Sequence, residues 1–299
     1  MSEHVQPEHV QSEHGQPDHR ESEHRESEHR ESEHRESDRG PSERAESDRA
    51  PGLVARGLTV RYGGVVANDD IDLRVRPGSV VGLIGPNGAG KTTLVDAVTG
   101  FTPAEGEITL NGQSLTGMPP HKRKAGGLAR TWQSAELFGN LTVEENLLVS
   151  ARKVGFASLV RDVFGRAGAG RSADRALETV GLTDARGSLA RDLTLGQQKL
   201  VGVARALAGR CDLLLLDEPA AGLDSNESRE FGARVREIAK SGPGVLLIDH
   251  DMSLVLNVCD VVYVMEFGKV IFTGTPAEAR VDASVAAAYL GSPMEEADA

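Results

Sequence analysis

An eight-residue segment, Gly85–Thr92 (GPNGAGKT), restricts the fold of this 299-residue chain more than any other feature of its sequence. The segment follows an apolar run at Ser79–Gly85 that is typical of a buried strand, and it precedes a helical pattern at Thr92–Val98. It matches GxxxxGK[ST], a loop in which glycines let backbone N–H groups surround phosphate oxygens at a helix N-terminus. Because that loop needs a strand before it and a helix after it, the segment predicts an α/β fold that binds a phosphorylated ligand.

Each position of this phosphate loop has an expected role. Lys91 would reach the β- and γ-phosphates of a nucleotide, Thr92 would ligate Mg²⁺, and Thr93 would assist at the α-phosphate. The other positions would contact phosphate mainly through their backbone: Gly85, Pro86, Asn87, Gly88, Ala89 and Gly90. The alternative, a glycine-rich turn with an exposed lysine, does not explain why all four fixed positions of this eight-residue motif match between a strand and a helix.

Further apolar runs alternate with helical patterns along the chain. Buried strands are expected at Cys211–Leu216, Gly244–Ile248 and Val261–Met265. Helices are expected at Val143–Ser150, Ser172–Val180, Gln197–Ala208 and Ser225–Lys240. This alternation predicts a mostly parallel sheet. The first part of the body, Leu53–Val75, has two alternating strands around a Gly-Gly turn and is expected to form an antiparallel ribbon.

An acidic pair follows the most apolar of these runs. Leu213–Leu216 is typical of a strand buried on both faces, and Asp217 and Glu218 come at its carboxyl end, where parallel sheets place ligands. Asp217 is expected to hold the Mg²⁺ shell, and Glu218 to act as general base on the attacking water. Acidic residues often end buried strands, but together with the phosphate loop this pair predicts nucleotide hydrolysis.

The first 50 residues differ in composition from the rest of the chain. They carry 15 acidic residues and seven arginines, and therefore −8 of the formal net charge of −12. They contain three ESEHR repeats and only five apolar residues, too few to offset the entropy lost on folding. We therefore predict a disordered low-complexity tail at 1–50, a folded body at 51–292 and a short C-terminal tail at 293–299.

Seven of the nine histidines lie in this N-terminal tail, one every five residues. They are His4, His9, His14, His19, His24, His29 and His34. They could form a metal-binding or buffering array, or simply belong to a solvated extension. A step of five residues turns by about 140° around a helix, so the imidazoles would not share one face. This geometry favours the solvated extension.

The composition excludes several classes of protein. No apolar run approaches the roughly 18–20 residues of a membrane span, and the N-terminus lacks the apolar core of a signal peptide. Cys211 and Cys259 are far apart, which argues against a disulfide scaffold or a zinc site. Outside the first 50 residues the net charge is only −4, which does not favour nucleic acid as a partner. A reducing cytoplasm is the expected compartment.

The order of these motifs, over about residues 53–292, resembles the ATP-binding subunit of an ABC transporter. Within that superfamily the chain is most similar to the ATPases of branched-chain amino-acid importers, which share the segment DEPAAGL at Asp217–Leu223 and the ending Tyr-Leu-Gly at residues 289–291. The resemblance implies a P-loop NTPase fold with a mostly parallel core sheet, an antiparallel β subdomain and an inserted helical subdomain at about 134–192. It also implies that the chain hydrolyses ATP with Mg²⁺.

The resemblance assigns roles to further residues. Tyr62 matches the aromatic residue that stacks on adenine. Gln133 matches the glutamine that touches Mg²⁺ and the attacking water and senses the permease. His250 matches the histidine that contacts the γ-phosphate. Asp224 matches a residue of the loop that communicates between two sites, although Asp224 and Glu227 also have the spacing of a helix capping box.

Leu193–Gln198 (LTLGQQ) matches the signature loop, which is usually written LSGGQ. Thr194 keeps a hydroxyl for the γ-phosphate, and Gly196 keeps a backbone N–H that approaches closely. With Gln197, these residues are expected to contact a nucleotide held by a second subunit. Leu195 departs from the family pattern, because it replaces the first glycine of the signature.

The resemblance also implies partners and a location. They are a second ABC ATPase subunit, identical or different, integral-membrane permease subunits and, indirectly, an extracytoplasmic solute-binding protein. The chain would lie at the cytoplasmic face of the cell membrane as a peripheral subunit.

Other functions remain open at this point. The imported solute could be urea, an amide or another amino acid. An ABC ATPase of translation or DNA repair would usually carry two cassettes or a long coiled coil, whereas this sequence has one phosphate loop and neither of those features. A P-loop kinase would have no use for the signature loop or for His250.

Overall fold

The computed structural model describes residues 51–131, 137–151 and 170–290. The predicted disorder of 1–50, the C-terminal tail at 293–299 and Gln133 lie outside these described residues, and so does part of the expected helical subdomain.

The central layer is a six-stranded sheet whose order is β10-β9-β3-β8-β7-β6. Five of its strands run parallel, and β10 closes one edge antiparallel to β9. The strands are β3 (Val80–Ile84), β6 (Leu128–Arg130), β7 (Leu213–Asp217), β8 (Gly244–Ile248), β9 (Val261–Glu266) and β10 (Lys269–Gly274). Since β8 lies between β3 and β7, the predicted phosphate loop and the predicted acidic pair leave the sheet on either side of it.

A second, antiparallel sheet of four strands has the order β2-β1-β4-β5. Its strands are β1 (Leu53–Tyr62), β2 (Val65–Val75), β4 (Glu105–Leu110) and β5 (Gln113–Ser114). The β1–β2 pair turns at Gly63-Gly64, as the sequence predicts. This sheet supplies the antiparallel layer beside the phosphate loop.

Helices connect and cover the strands. They are α1 (Lys91–Thr99), α2 (Pro120–Ala125), α3 (Val143–Ala151), α4 (170–180), α5 (Leu195–Leu207), α6 (Ser225–Lys240), α7 (Met252–Val258), α8 (Pro276–Ala279) and α9 (Ala283–Leu290). A 3₁₀ turn at Ala190–Asp192 precedes α5. None of the helices in the described ranges has both the length and the hydrophobicity that a membrane span requires.

Both faces of the parallel sheet are buried, and the leucines of β7 show how. Leu214 and Leu216 belong to a core cluster with residues of α5, α6 and α7, whereas Leu213 and Leu215 belong to a second cluster with α1 and the antiparallel sheet. Successive side chains of a strand point to opposite faces. A continuous apolar run therefore fills both cores at once, as expected for a parallel sheet between two layers.

The structure confirms the predicted α/β class, with the expected elements displaced by one or two residues at their ends. The short edge strand β6 and the antiparallel strand β10 have no clear pattern in the sequence. Three residues are too few to establish a period, and β10 is only partly buried along most of its length. Both strands depend on pairing with a neighbour that is already in place.

Candidate active site

The carboxyl ends of four neighbouring strands form the floor of the candidate site. In the order of the sheet, Gly85 follows β3, His250 lies just after β8, Asp217 ends β7 and Arg130 ends β6. Ligands of open α/β sheets bind at this edge. The topology thus brings together residues that are as much as 165 positions apart in the sequence, from Gly85 to His250.

The phosphate loop has a backbone that only glycine accommodates easily. Gly85, Gly88 and Gly90 have φ values of 148°, 81° and 98°. A Cβ on Gly85 would lie 2.1 Å from the carbonyl oxygen of Met265, and one on Gly90 would lie 2.6 Å from that of Ala67. These glycines therefore serve both the curvature of the loop and its close approach to β9 and β2.

Lys91 is the first residue of α1 and is buried. Its Nζ donates to the carbonyl oxygens of Gly85, at 2.6 Å, and Pro86, at 3.0 Å. Burial lowers the pKa of Lys91, while the negative charges of Glu218 and Asp217 raise it. The ammonium group therefore lies inside the curve of the loop, within the electrostatic reach of both acidic residues.

Neighbouring strands brace the loop from outside. Asn68 of β2 is fully buried, and its Nδ2 donates to the carbonyl oxygen of Gly90 at 3.1 Å. Gly268, in the turn between β9 and β10, donates its N–H to the carbonyl oxygen of Ala89 at 3.0 Å and accepts from the N–H of Asp69 at 2.9 Å. The antiparallel sheet and the β9–β10 turn thus hold Ala89 and Gly90 from two sides.

The acidic pair has two distinct environments. Asp217 is largely buried, and its Oδ2 accepts from Nη2 of Arg130 at 2.7 Å. Glu218 has a positive φ of 46°, an uncommon backbone conformation for a residue with a side chain, and its N–H donates to the carbonyl oxygen of Ile248 at 2.8 Å. Functional residues often carry such backbone strain. Asp217 is thus fixed by a charged partner, and Glu218 by the turn of its backbone.

The oxygen donors near the loop suit a Mg²⁺ ion that also binds the phosphates of a substrate. Within the described ranges, no cluster of three or more His, Cys, Asp or Glu side chains could hold a metal ion. Mg²⁺ is instead usually bound through one or two protein oxygens together with substrate phosphates and water. The hydroxyl of Thr92 and the carboxylate of Asp217 provide such oxygens.

His250 follows β8 in the short loop before α7 and is the exposed residue of that loop. Its side chain is 62% exposed, and its Nδ1 lies 3.6 Å from Oδ1 of Asp249. Asp249 is buried, which raises the pKa of its carboxyl group, and it accepts hydrogen bonds from the N–H groups of Asp251 and Ala220. The buried aspartate anchors the loop, so that the imidazole is presented to solvent at the edge of the sheet.

The signature loop lies against the start of α6. Thr194 is the N-cap of α5 and forms a capping box with Gln197. The N–H of Gly196 lies 3.4 Å from Oε1 of Glu227, and a Cβ on Gly222 would lie 3.3 Å from Cδ2 of Leu195. In the described residues, no hydrogen bond joins this loop to the phosphate loop of the same chain. Thr194 and Gly196 remain predicted contacts of a nucleotide held by another subunit.

The expected capping box at the start of α6 is present. Asp224 accepts from the N–H groups of Asn226 and Glu227, and the side chain of Glu227 accepts from the N–H of Asp224. Because Glu227 also faces Gly196, its carboxylate connects the start of α6 with the signature loop. The communicating role of Asp224 stays a prediction.

Tyr62, at the end of β1, has a half-exposed side chain. Its hydroxyl lies 3.3 Å from Oγ1 of Thr102, which follows α1. The side chain is therefore tethered at its polar end, and about half of its surface is open to solvent. Stacking on adenine remains a prediction.

Two buried polar residues of this site have no motif that could identify them in the sequence. Asn68 lies in a strand with alternating polarity, where an asparagine would be expected on the exposed face, and yet it is fully buried. Arg130 follows a short apolar stretch and looks like a strand-ending surface charge, and yet its side chain is only 7% exposed. Their functions depend on partners that are distant in sequence.

Comparison with known proteins agrees with this geometry. A family model described as "ABC transporter" matches residues 68–221. The branched-chain amino acid transport ATP-binding protein LivG of Salmonella typhimurium is 39% identical over 244 residues, which cover 79% of this chain and 96% of LivG. The lipopolysaccharide export ATP-binding protein LptB of Haemophilus influenzae is 35% identical over 74% of this chain and 90% of LptB.

Among solved structures, the ADP conformation of MJ1267, an ATP-binding cassette of an ABC transporter, superposes with a TM-score of 0.71 at 30% identity. The match covers 80% of this chain and 98% of MJ1267. The fold is therefore that of an ATP-binding cassette, over nearly the whole length of MJ1267.

Proposed function

This chain belongs to the ABC transporter family of ATP-binding, ATP-hydrolysing subunits, and we propose that it drives the import of branched-chain amino acids. The observation that carries the proposal is the 39% identity to LivG over 96% of the length of that protein. The chain also has the DEPAAGL segment that is typical of this group.

The proposed catalytic residues act together at one edge of the sheet. Backbone N–H groups of the phosphate loop bind the phosphates of ATP, and the buried ammonium of Lys91 offsets their charge. Glu218 accepts a proton from the attacking water, and His250 contacts the γ-phosphate from its exposed loop. Glu218 and His250 are both positioned before ATP binds. The positive φ of Glu218 directs its side chain, and the buried Asp249 anchors the loop that carries His250.

Thr92 and Asp217 would hold a bound Mg²⁺, which would neutralise charge on the β- and γ-phosphates of ATP. Two further residues complete the proposed site. Tyr62 stacks on the adenine, and Gln133, which lies outside the described residues, is proposed to touch the metal and the attacking water.

The proposed assembly has two ATPase subunits, identical or different. The exposed signature loop fits this proposal, because Thr194 caps α5 and the N–H of Gly196 faces Glu227 of α6, and in the described residues neither bonds to the phosphate loop of the same chain. The dimer would bind integral-membrane permease subunits at the inner face of the cell membrane, and a solute-binding protein would deliver the amino acid.

The experiment compares solute uptake in cells of the source organism that carry either of two point variants of the full chain. Glu218→Gln removes the proposed base, whereas Glu230→Gln makes the same chemical change on an exposed part of α6. We expect Glu218→Gln to abolish uptake of labelled leucine, isoleucine and valine while purified protein still binds ATP, and Glu230→Gln to change neither.

Other outcomes identify other functions. Loss of urea, amide or other amino-acid uptake with intact leucine uptake would assign a different imported solute. Loss of lipopolysaccharide from the cell surface with intact uptake would favour export, the process in the name of LptB. ATP hydrolysis by purified Glu218→Gln at the rate of the parent protein would overturn the role of Glu218.

A further inference from the structure

Arg130 joins two acidic residues that approach it from different elements. Its Nη2 donates to Oδ2 of Asp217, at the end of β7, across 2.7 Å. Its Nη1 donates to Oδ1 of Asp96, on α1, across 2.5 Å. The arginine side chain is 7% exposed and that of Asp217 is 11% exposed, so both charges are almost fully removed from water.

Asp96 lies on the same face of α1 as Thr92, one of the proposed Mg²⁺ ligands. Thr92 and Asp96 are four residues apart, so that they lie one above the other on the same face of the helix. One guanidinium therefore links the helix face that presents the Thr92 hydroxyl to the strand end that presents the Asp217 carboxylate. These are two of the three residues assigned to Mg²⁺, the third being Gln133.

We propose that Arg130 is a positioning residue that fixes the Asp217 carboxylate relative to Thr92 for Mg²⁺ binding. The inference rests on the proposed metal site. A guanidinium is planar and presents its donors in a rigid fork, so two acids bonded to its two Nη atoms have a fixed separation and orientation. In this proposal Arg130 holds Oδ2 of Asp217, and Oδ1 would bind the metal.

A purely structural role is the competing explanation, in which the ion pair only ties α1 to the sheet and has no effect on metal binding. A second buried arginine provides the comparison. Arg123 also contacts α1, donating its Nη1 to the carbonyl oxygens of Ala97 at 2.7 Å and Val98 at 2.6 Å, and its Nε to that of Met118. Arg123 thus anchors the same helix through backbone oxygens, at the end away from Thr92.

Substitution by lysine separates the two roles. Arg130→Lys keeps the positive charge beside Asp217, but an ammonium cannot hold two acids in the geometry of a fork. Arg123→Lys is the matched control, because it perturbs an equally buried anchor of α1. Both changes are made in the full chain on the Glu218→Gln background, so that bound ATP is not consumed.

The measurement is the Kd of Mn²⁺, which accepts the same oxygen ligands as Mg²⁺, for the protein–ATP complex. It is obtained from the electron paramagnetic resonance signal of the free ion. Loss of a residue that orients a metal ligand weakens metal binding by about 10–100-fold, and we expect Arg130→Lys to raise the Kd of Mn²⁺ by about tenfold. ATP affinity in EDTA, measured with TNP-ATP, should not change, and Arg123→Lys should leave both values unchanged.

The proposal is overturned if Arg130→Lys leaves the Kd of Mn²⁺ unchanged, or if Arg123→Lys raises it as much. Failure of the parent protein to bind TNP-ATP would instead contradict the proposed nucleotide site itself. Should Arg130→Lys fail to fold, Asp96→Asn replaces it. That variant keeps Arg130 and Asp217 but weakens the other anchor of the fork, and it must raise the Kd of Mn²⁺ for the proposal to stand.

Discussion

Lys91 Nζ lies 2.6 Å from the carbonyl oxygen of Gly85. Gly85 is the first residue of the phosphate loop, and Lys91 is its last but one. This contact, together with the one to Pro86, folds the lysine back across the loop. The ammonium is therefore held at the loop, and its burial there makes its attraction to a phosphate oxygen stronger than the same attraction in water.

Replacing Lys91 by methionine tests this arrangement. Methionine fills similar space without the charge, and loss of one preorganised charged donor lowers catalysis by about 100-fold or more. We expect such a fall in steady-state ATP hydrolysis, measured as phosphate release. Lys122→Met, on the exposed face of α2, is the control and should retain the parent rate. A Lys91→Met rate equal to that of the control would contradict the assigned role.

Gly85→Ala tests the backbone of the loop. The new Cβ would lie 2.1 Å from the carbonyl oxygen of Met265 at a φ of 148°, so either β9 or the loop must move. Such overpacking and strain cost about 1–3 kcal/mol each. We expect a loss of about 2 kcal/mol or more in the free energy of unfolding, measured by urea denaturation.

Gly64→Ala is the matched control for this change. Gly64 lies in the exposed β1–β2 turn with a negative φ, and a Cβ there would have no neighbour within 4 Å. The free energy of unfolding of Gly64→Ala should stay close to that of the parent chain. Equal stabilities for the two alanine variants would show that the loop tolerates a side chain at Gly85.

Thr194→Ala tests the cap of the signature helix. The hydroxyl of Thr194 accepts from the N–H of Gln197 at 3.2 Å, and loss of an N-cap side chain costs about 0.5–2 kcal/mol. We expect thermal unfolding to move to a lower temperature, and Thr194→Ser, which keeps the hydroxyl, to unfold like the parent. If serine and alanine destabilise the chain equally, the methyl group rather than the cap matters at this position.

Stability at alkaline pH should fall because of Cys259. Burial raises the pKa of this thiol from 9.0 to about 12, an effect that Arg236 partly opposes. Between these values the unfolded chain loses the thiol proton while the folded chain keeps it. The unfolded state is thus favoured as pH rises above 9.0, by about 1.4 kcal/mol for each pH unit.

Cys259→Ala removes the titrating group. Its stability deficit relative to the parent, measured by urea denaturation between pH 8 and pH 11, should shrink as pH rises. Val258→Ala removes a neighbouring buried side chain that does not titrate, so its deficit should be independent of pH. Parallel curves for the two variants would argue against a raised thiol pKa.

Much of the fold follows from local sequence. The leucine run that ends in Asp217 is long and apolar enough to predict a strand buried on both faces, and the capping pattern of Asp224 and Glu227 marks the start of α6 correctly. The edge strands β6 and β10 could not be predicted in this way, because they form only where a neighbouring strand offers hydrogen bonds.

The contacts of the signature loop also could not be predicted from the sequence. The sequence shows that Leu195 replaces a glycine, but not that its side chain packs near Gly222 or that Gly196 faces Glu227. These neighbours are 27 to 31 residues away in the chain. They meet because α5 and α6 pack together.

The phosphate loop and the acidic pair are determined by the sequence itself, since strained glycine positions, a lysine at a helix start and acids at a strand end are local requirements. The burial of Arg130 between Asp96 and Asp217, and that of Asn68 against Gly90, depends on tertiary structure alone. A lone arginine or asparagine carries no pattern. Such residues acquire partners only when parallel strands and the loop helix bring distant polar groups together out of water, where each must be paired.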